Sequence, residues 1–257
     1  MANFHLEIKT ISRGRGQSLA GSISYITGHT LRDPHLEKTF YHRRDDVLWR
    51  QIFLPCEAPE AFKDIQYLCD QMEQAEKRWD ARTARLLIGS LPNELPVSEI
   101  IRISDTFIRK NFICQGLCAV AAIHEGRNKA APENNNPHVH IIVSTRKLGP
   151  EGFSPLKCRE LDRREYILFW RKEWAEVQNQ AYARNHLRIR VSHESLEIQG
   201  IRKREPTIHL SAADWRREQR GERTPAGDRK RAIAVRNMER ERQHTAPERR
   251  CNPSRTR

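Results

Sequence analysis

The stretch Asn136-Pro137-His138-Val139-His140-Ile141-Ile142-Val143 limits what this chain can fold into more than any other segment of it. Its β-branched residues favour a strand, and residues two apart in a strand point to one face. His138 and His140 therefore stand side by side, while Val139 and Ile141 face the opposite layer. His124 closes the strand expected before it, Leu117–His124. If the two strands pair as antiparallel neighbours, the end of one meets the start of the other and three imidazoles converge. Three neutral imidazoles can hold a divalent cation and leave coordination positions open to substrate oxygens. A histidine pair alone is more often structural, so the third ring gives the metal reading its weight.

The surrounding pattern supplies the rest of a sheet and its cover. Phe4–Ile11 alternates as a first strand. The Ser12–Gly16 loop leads to a helix over Gln17–Thr27, ended by Gly28. Residues 40–54 are ambiguous and suit a strand ending at Leu54-Pro55. Phe62, Ile65, Leu68, Cys69, Met72 and Ala75 recur at helical spacing and predict one helix over Pro59–Arg82. A strand over Arg85–Leu91 follows, then a helix over Val97–Phe112 with Ile100, Ile101, Ile103 and Phe107 inward. Another helix is expected over Arg159–Arg184. Strands mixed with helices, without strict alternation, predict an α+β fold: a mostly antiparallel central sheet with helices packed on it.

Charge narrows the partner. The 257 residues carry a formal net charge of +13, which favours a polyanion, nucleic acid or an anionic membrane. Residues 201–257 hold 17 Lys/Arg against eight Asp/Glu. The expected organisation is therefore a domain over 1–210 and an Arg-rich tail over 211–257, helical or disordered. The apolar run that includes Cys118–Ile123 is far short of the roughly 20 residues of a membrane span. The six cysteines form no C-x-x-C pair and the start shows no signal-peptide pattern, which together predict a reduced, cytoplasmic protein.

Residue type does not select a nucleophile among Tyr25, Tyr41, Tyr67, Tyr166 and Tyr182. Tyr166 lies in register with Trp170 and Trp174, a packed stripe. The order of motifs does select one. Phe4-His5-Leu6, the Arg/Gly loop into Gln17-Ser18 and Tyr25, Leu91-Pro92, Ala122-Ile123-His124 and Asn136–His140 occur in sequence. Thr145-Arg146, Gly152-Phe153 with Lys157, Trp174-Ala175 with Asn179, His193, Gln199-Gly200, Pro206 and His209-Leu210 follow. In this order the chain, from about residue 3 to 210, resembles the MobA/MobL plasmid mobilisation relaxases, within the histidine–hydrophobe–histidine nucleases. It departs from them in a longer gap between His124 and His138, in Ser192 and Glu194 around His193, and in Ser211 after Leu210.

The resemblance implies strand-specific nicking and rejoining at a transfer origin, with Tyr25 as nucleophile and a 5′-phosphotyrosine intermediate. It implies a metal, magnesium or manganese, on His124, His138 and His140. Single-stranded DNA would be the partner, with accessory mobilisation proteins and a coupling protein beside it. Arg13, Arg15, Arg146 and Lys157 are the cations expected on DNA phosphates. The proton acceptor for Tyr25 is unassigned; Glu73, Glu76 and Asp80 share a helix face that reads better as a solvated acidic surface. Two alternatives stand beside this reading. One is a rolling-circle replication initiator or single-strand transposase using Tyr166. The other is a non-catalytic nucleic-acid-binding module with a closed metal site, for which His5 is a possible fourth ligand.

Overall fold

In the computed structural model, residues 4–127, 135–202, 204–208 and 210–245 are described; His209, Cys251 and most of the His124–His138 gap lie outside them. The described residues form two compact units, up to His193 and from Glu194. The sequence placed its division later, at residue 210.

The first unit is built on a five-stranded sheet of β1 (Leu6–Ser12), β4 (Val47–Phe53), β5 (Arg82–Ser90), β6 (Ala119–His124) and β7 (His138–Ser144). Their order is β1-β5-β7-β6-β4, and every neighbouring pair is antiparallel. Two small hairpins lie outside it: β2 (Leu31–Asp33) with β3 (Lys38–Phe40), and β8 (Arg146–Gly149) with β9 (Gly152–Lys157). The α+β class and the antiparallel sheet are as the sequence pattern predicts.

Alternation divides the sheet between two cores. Val139, Ile141 and Val143 join Leu87, Ala121 and Ile123 in packing with α3 (Val97–Asn111) and α4 (Arg164–Arg184), where Phe107, Trp170 and Trp174 are fully buried. Ile142 and Ala122 face the other way, onto Leu19, Ile23 and Ile26 of α1 (Leu19–Thr27) and Leu68 and Met72 of α2 (Ile65–Gln74). Gly89 on β5 makes room for Trp174: a Cβ there would lie 2.7 Å from the indole.

The single helix predicted over Pro59–Arg82 is not formed. A 3-10 turn, Glu60–Lys63, comes first; Asp64 then caps α2 by accepting from the Tyr67 amide at 2.7 Å. The helix ends at Gln74, because Arg13 takes the carbonyls that a longer helix would use. Its guanidinium donates to Glu73 O, Glu76 O and Arg78 O at 2.7, 2.7 and 3.0 Å. Residues 75–81 turn, and β5 starts at Arg82, earlier than its hydrophobic run suggests. The helix expected over Arg159–Arg184 is likewise a 3-10 turn, Arg159–Asp162, followed by α4.

The second unit contains α5 (Ala212–Gln219) and α6 (Pro225–Thr245). Ser211 caps α5, its hydroxyl accepting from the Asp214 amide at 3.0 Å. Asn237 clasps the backbone of Glu205 on both sides, while Arg236 and Arg240 pair with the Glu205 carboxylate. Part of the basic excess is thus tied up within the unit. Among the described residues, no helix is long and apolar enough to cross a membrane.

Candidate active site

The histidines meet because of strand register. His124 on β6 lies directly opposite His138 on β7, and Ala122 opposite His140. His124 ends its strand and His138 begins the next, so all three side chains emerge at one end of the α1-facing side of the sheet. Ring centroids are 5.3 Å apart for His124–His138, 4.7 Å for His124–His140 and 5.0 Å for His138–His140. One nitrogen from each lies within 4.8 Å of the others. His5 is not part of this group.

Burial keeps these rings neutral. Desolvation is the largest effect at each of them, pushing His124 down to about 4 and His138 and His140 below the usual histidine value. Neighbouring Arg44 lowers all three further. The His140 Nδ1 is buried with no hydrogen-bond partner. Three clustered neutral imidazoles, one with an orphaned nitrogen, fit a divalent cation.

Tyr25 reaches the cluster from α1, whose seat is fixed at both ends. At the start, the Ser18 hydroxyl accepts from the Gly21 amide at 2.9 Å and donates to the buried Asp33 carboxylate at 2.5 Å. At the end, Gly28 adopts φ 76° and its N–H returns to Ser24 O, while Arg50 donates to Thr27 O. The ring of Tyr25 stands 6.4 Å from His124 and 6.3 Å from His140, edge-on to both, and 47% of the residue is exposed. A tyrosine beside side chains able to hold a metal, and open to solvent, can attack a substrate that a buried one cannot. Tyr166 packs with Trp170 in the core on the opposite face of the sheet. That placement separates it from the histidines.

Three residues at this site escaped sequence reasoning. The extended segment ahead of β4 runs along the end of β6, held by the Glu125 amide donating to Asp46 O at 2.8 Å. It brings His42 within 5.7 Å of the Tyr25 ring, with Nδ1 3.1 Å from the Ser24 hydroxyl. It also carries Arg44, whose guanidinium lies 4.7 Å over the Tyr25 ring, and Asp46, which pairs with Arg44. The available signal was His42-x-Arg44-x-Asp46, a period-two run in the segment that the hydrophobic pattern leaves ambiguous.

The expected DNA cations are not gathered here, and three of the four are engaged elsewhere. Arg13 directs all five guanidinium N–H groups to Glu73 and to the Glu76 and Arg78 carbonyls, so it has none for a phosphate. Arg146 and Lys157 both pair with buried Glu76, at 2.9 and 2.7 Å. This network lies toward the other end of the sheet: at about 3.3 Å per residue, Ser144 is already roughly 13 Å along β7 from His140. Glu73 and Glu76 are therefore buried anchors, correcting both the solvated acidic face and any role in taking a proton from Tyr25. Only Arg15 is exposed, beside Lys9 and Arg82 around a shallow recess of about 270 Å³. A larger groove of about 580 Å³ follows α1 from Gly16 to Tyr25 and His140, with Leu86 and Ile88 of β5 and Lys38 and Phe40 of β3 in its lining.

The model of the MobA/MobL family matches residues 17–220. A Bifidobacterium longum protein named probable mobilization protein MobA is 30% identical over 252 residues, covering 81% of this chain and 43% of that protein. Mobilization protein MobL of Acidithiobacillus ferridurans is 27% identical over 241 residues, covering 83% of this chain and 63% of its own length. The chain thus spans less than two thirds of either relative. A solved structure, reported as the molecular basis of vancomycin resistance transfer in Staphylococcus aureus, superposes with a TM-score of 0.68 at 27% identity. It covers 76% of this chain and all of that one. On the extent of the family match, with the sheet and the histidine register beside it, this chain belongs to the MobA/MobL family.

Proposed function

We propose that this protein is a relaxase that nicks and rejoins one DNA strand at a plasmid transfer origin, by transesterification onto Tyr25. The observation that carries this reading is a half-exposed tyrosine within 6.4 Å, ring to ring, of two of three clustered neutral histidines. The Tyr25 oxygen, after losing its proton, attacks the scissile phosphorus. The bond from phosphorus to the 3′ oxygen breaks, that oxygen takes up a proton, and the 5′ side remains as a phosphotyrosine. One phosphodiester replaces another, so the free 3′-hydroxyl can reverse the step without an external energy source. A divalent cation on His124, His138 and His140, magnesium or manganese, supplies Lewis-acid polarisation of a non-bridging oxygen.

The groove along α1 is our proposed path for the single strand. Leu86, Ile88 and Phe40 offer apolar and stacking surface to bases, and Lys38 lies 5.1 Å over the Phe40 ring. Arg15 adjoins the far end of the groove at Gly16 and is the sequence-named cation we retain for a phosphate. The reading places the protein in the cytoplasm, with accessory mobilisation proteins and a coupling protein as its partners.

The test is incubation with labelled single-stranded oligonucleotides tiled across the transfer origin of the source replicon, with manganese. The expected result is a cut strand and a protease-sensitive protein–DNA adduct, both lost in Tyr25→Phe. Cutting that persists in that variant would move the nucleophile elsewhere. Metal and DNA binding without any cutting would favour the binding-module reading.

A further inference from the structure

A neutral imidazole has one N–H and one lone pair. At His124 both are in use. Nε2 lies 2.7 Å from the Ile26 carbonyl, which only accepts, so Nε2 carries the proton. Nδ1 lies 2.7 Å from Nη2 of Arg44, which only donates, so Nδ1 carries the lone pair. A metal-bound imidazole gives its lone pair to the metal and keeps its proton on the other nitrogen. Ligation through Nδ1 removes the acceptor that Arg44 uses. Ligation through Nε2 moves the proton to Nδ1, where it meets the Arg44 N–H groups head on. Both arrangements break the Arg44–His124 hydrogen bond.

Resting on the metal reading above, we infer that Arg44 is the protein's own cation at this site, that it competes with the metal ion for the single lone pair of His124, and that it thereby sets metal affinity. Asp46 holds the guanidinium through contacts of 2.9 Å at Nε and at Nη2, so a displaced Arg44 stays tethered. It remains over the Tyr25 ring, with the donor released from His124 available to a phosphate oxygen. Metal loading therefore exchanges one interaction of Arg44 for another beside the nucleophile.

The experiment is calorimetric titration of manganese chloride into the full chain, comparing wild type with Arg44→Gln and Arg44→Met. Removing the competing guanidinium, by the neutral and shorter Gln or by Met with no donor at all, should tighten manganese binding by about tenfold in each variant. A measurement on the wild type alone runs beside it: the nitrogen NMR signals of Arg44 and His124 should shift together as magnesium is added. Unchanged or weakened manganese affinity in both variants, or an Arg44 signal unmoved at saturating magnesium, overturns the inference and leaves the metal site standing. Absence of metal binding in all three proteins overturns both.

Discussion

Arg13 and Glu73 are joined through two guanidinium nitrogens, at 2.8 and 2.5 Å, in a site where the carboxylate is 3% exposed. The same guanidinium closes the end of α2, so this pair joins the first loop to that helix. Arg13→Ala should cost about 3 kcal/mol of stability, because it strips a buried carboxylate of its guanidinium and takes one donor from each of three carbonyls. Chemical denaturation measures that loss. The salt dependence of DNA binding should be unchanged in a folded Arg13→Ala protein, whereas Arg15→Ala should reduce the salt slope by about 1. Equal slopes for Arg15→Ala and wild type would remove Arg15 from the DNA path.

Glu76 holds Thr145, Arg146 and Lys157 together. Glu76→Ala should strand two largely buried cations and lower stability by about 3 kcal/mol, or on the order of 10 °C in melting temperature. A drop of less than about 1 kcal/mol would mean that the network relaxes onto solvent.

The histidine cluster should make stability depend on pH. His124 is held neutral when folded, at about 4, against 6.5 when unfolded. Its contribution is complete above 6.5 and is lost as pH falls towards 4, since the unfolded chain binds the proton first. His138 and His140 are lowered too and act in the same direction. For His124 alone the loss approaches about 3 kcal/mol. Metal-free protein should therefore melt progressively lower from pH 6.5 to 4, and His140→Leu should flatten the curve. A parallel curve for that variant would place the pH dependence elsewhere.

Gly89 and Trp174 test the sheet's other face. Gly89→Ala would place a methyl 2.7 Å from the indole and cost about 1–3 kcal/mol by overpacking. Thermal melting checks this, and Trp174→Phe in the same background should recover part of the loss.

The convergence of His124, His138 and His140 was legible because the side-chain period of a strand is two and because one strand ended where the next began. The face assignments of Val139, Ile141 and Ile142 follow from the same rule. Arg44 and Asp46 were not legible: they lie in a segment without hydrophobic periodicity, and only the pairing of β4 with β6 brings them to His124. The extent of α2 was overread because apolar spacing continues past Gln74, while the terminating contact comes from Arg13, about sixty residues earlier. The cations were misread for a related reason. Sequence shows that Arg13, Arg146 and Lys157 are charged, but not that buried Glu73 and Glu76 await them.

Tyr25 and the histidines are carried by different parts of the fold, one on a helix and three on strands. Their separation is therefore a property of the joint between α1 and the sheet, which Leu19, Ile23 and Ile26 fill from beneath. In the proposed reaction, a tenth-of-a-nanometre change in that joint would move the attacking oxygen relative to its target without altering any reacting group. Catalytic tuning in such a protein is a matter of mechanical tolerance: Ile23→Val, which touches no substrate, should behave as an alignment variant, binding DNA normally and cutting it more slowly.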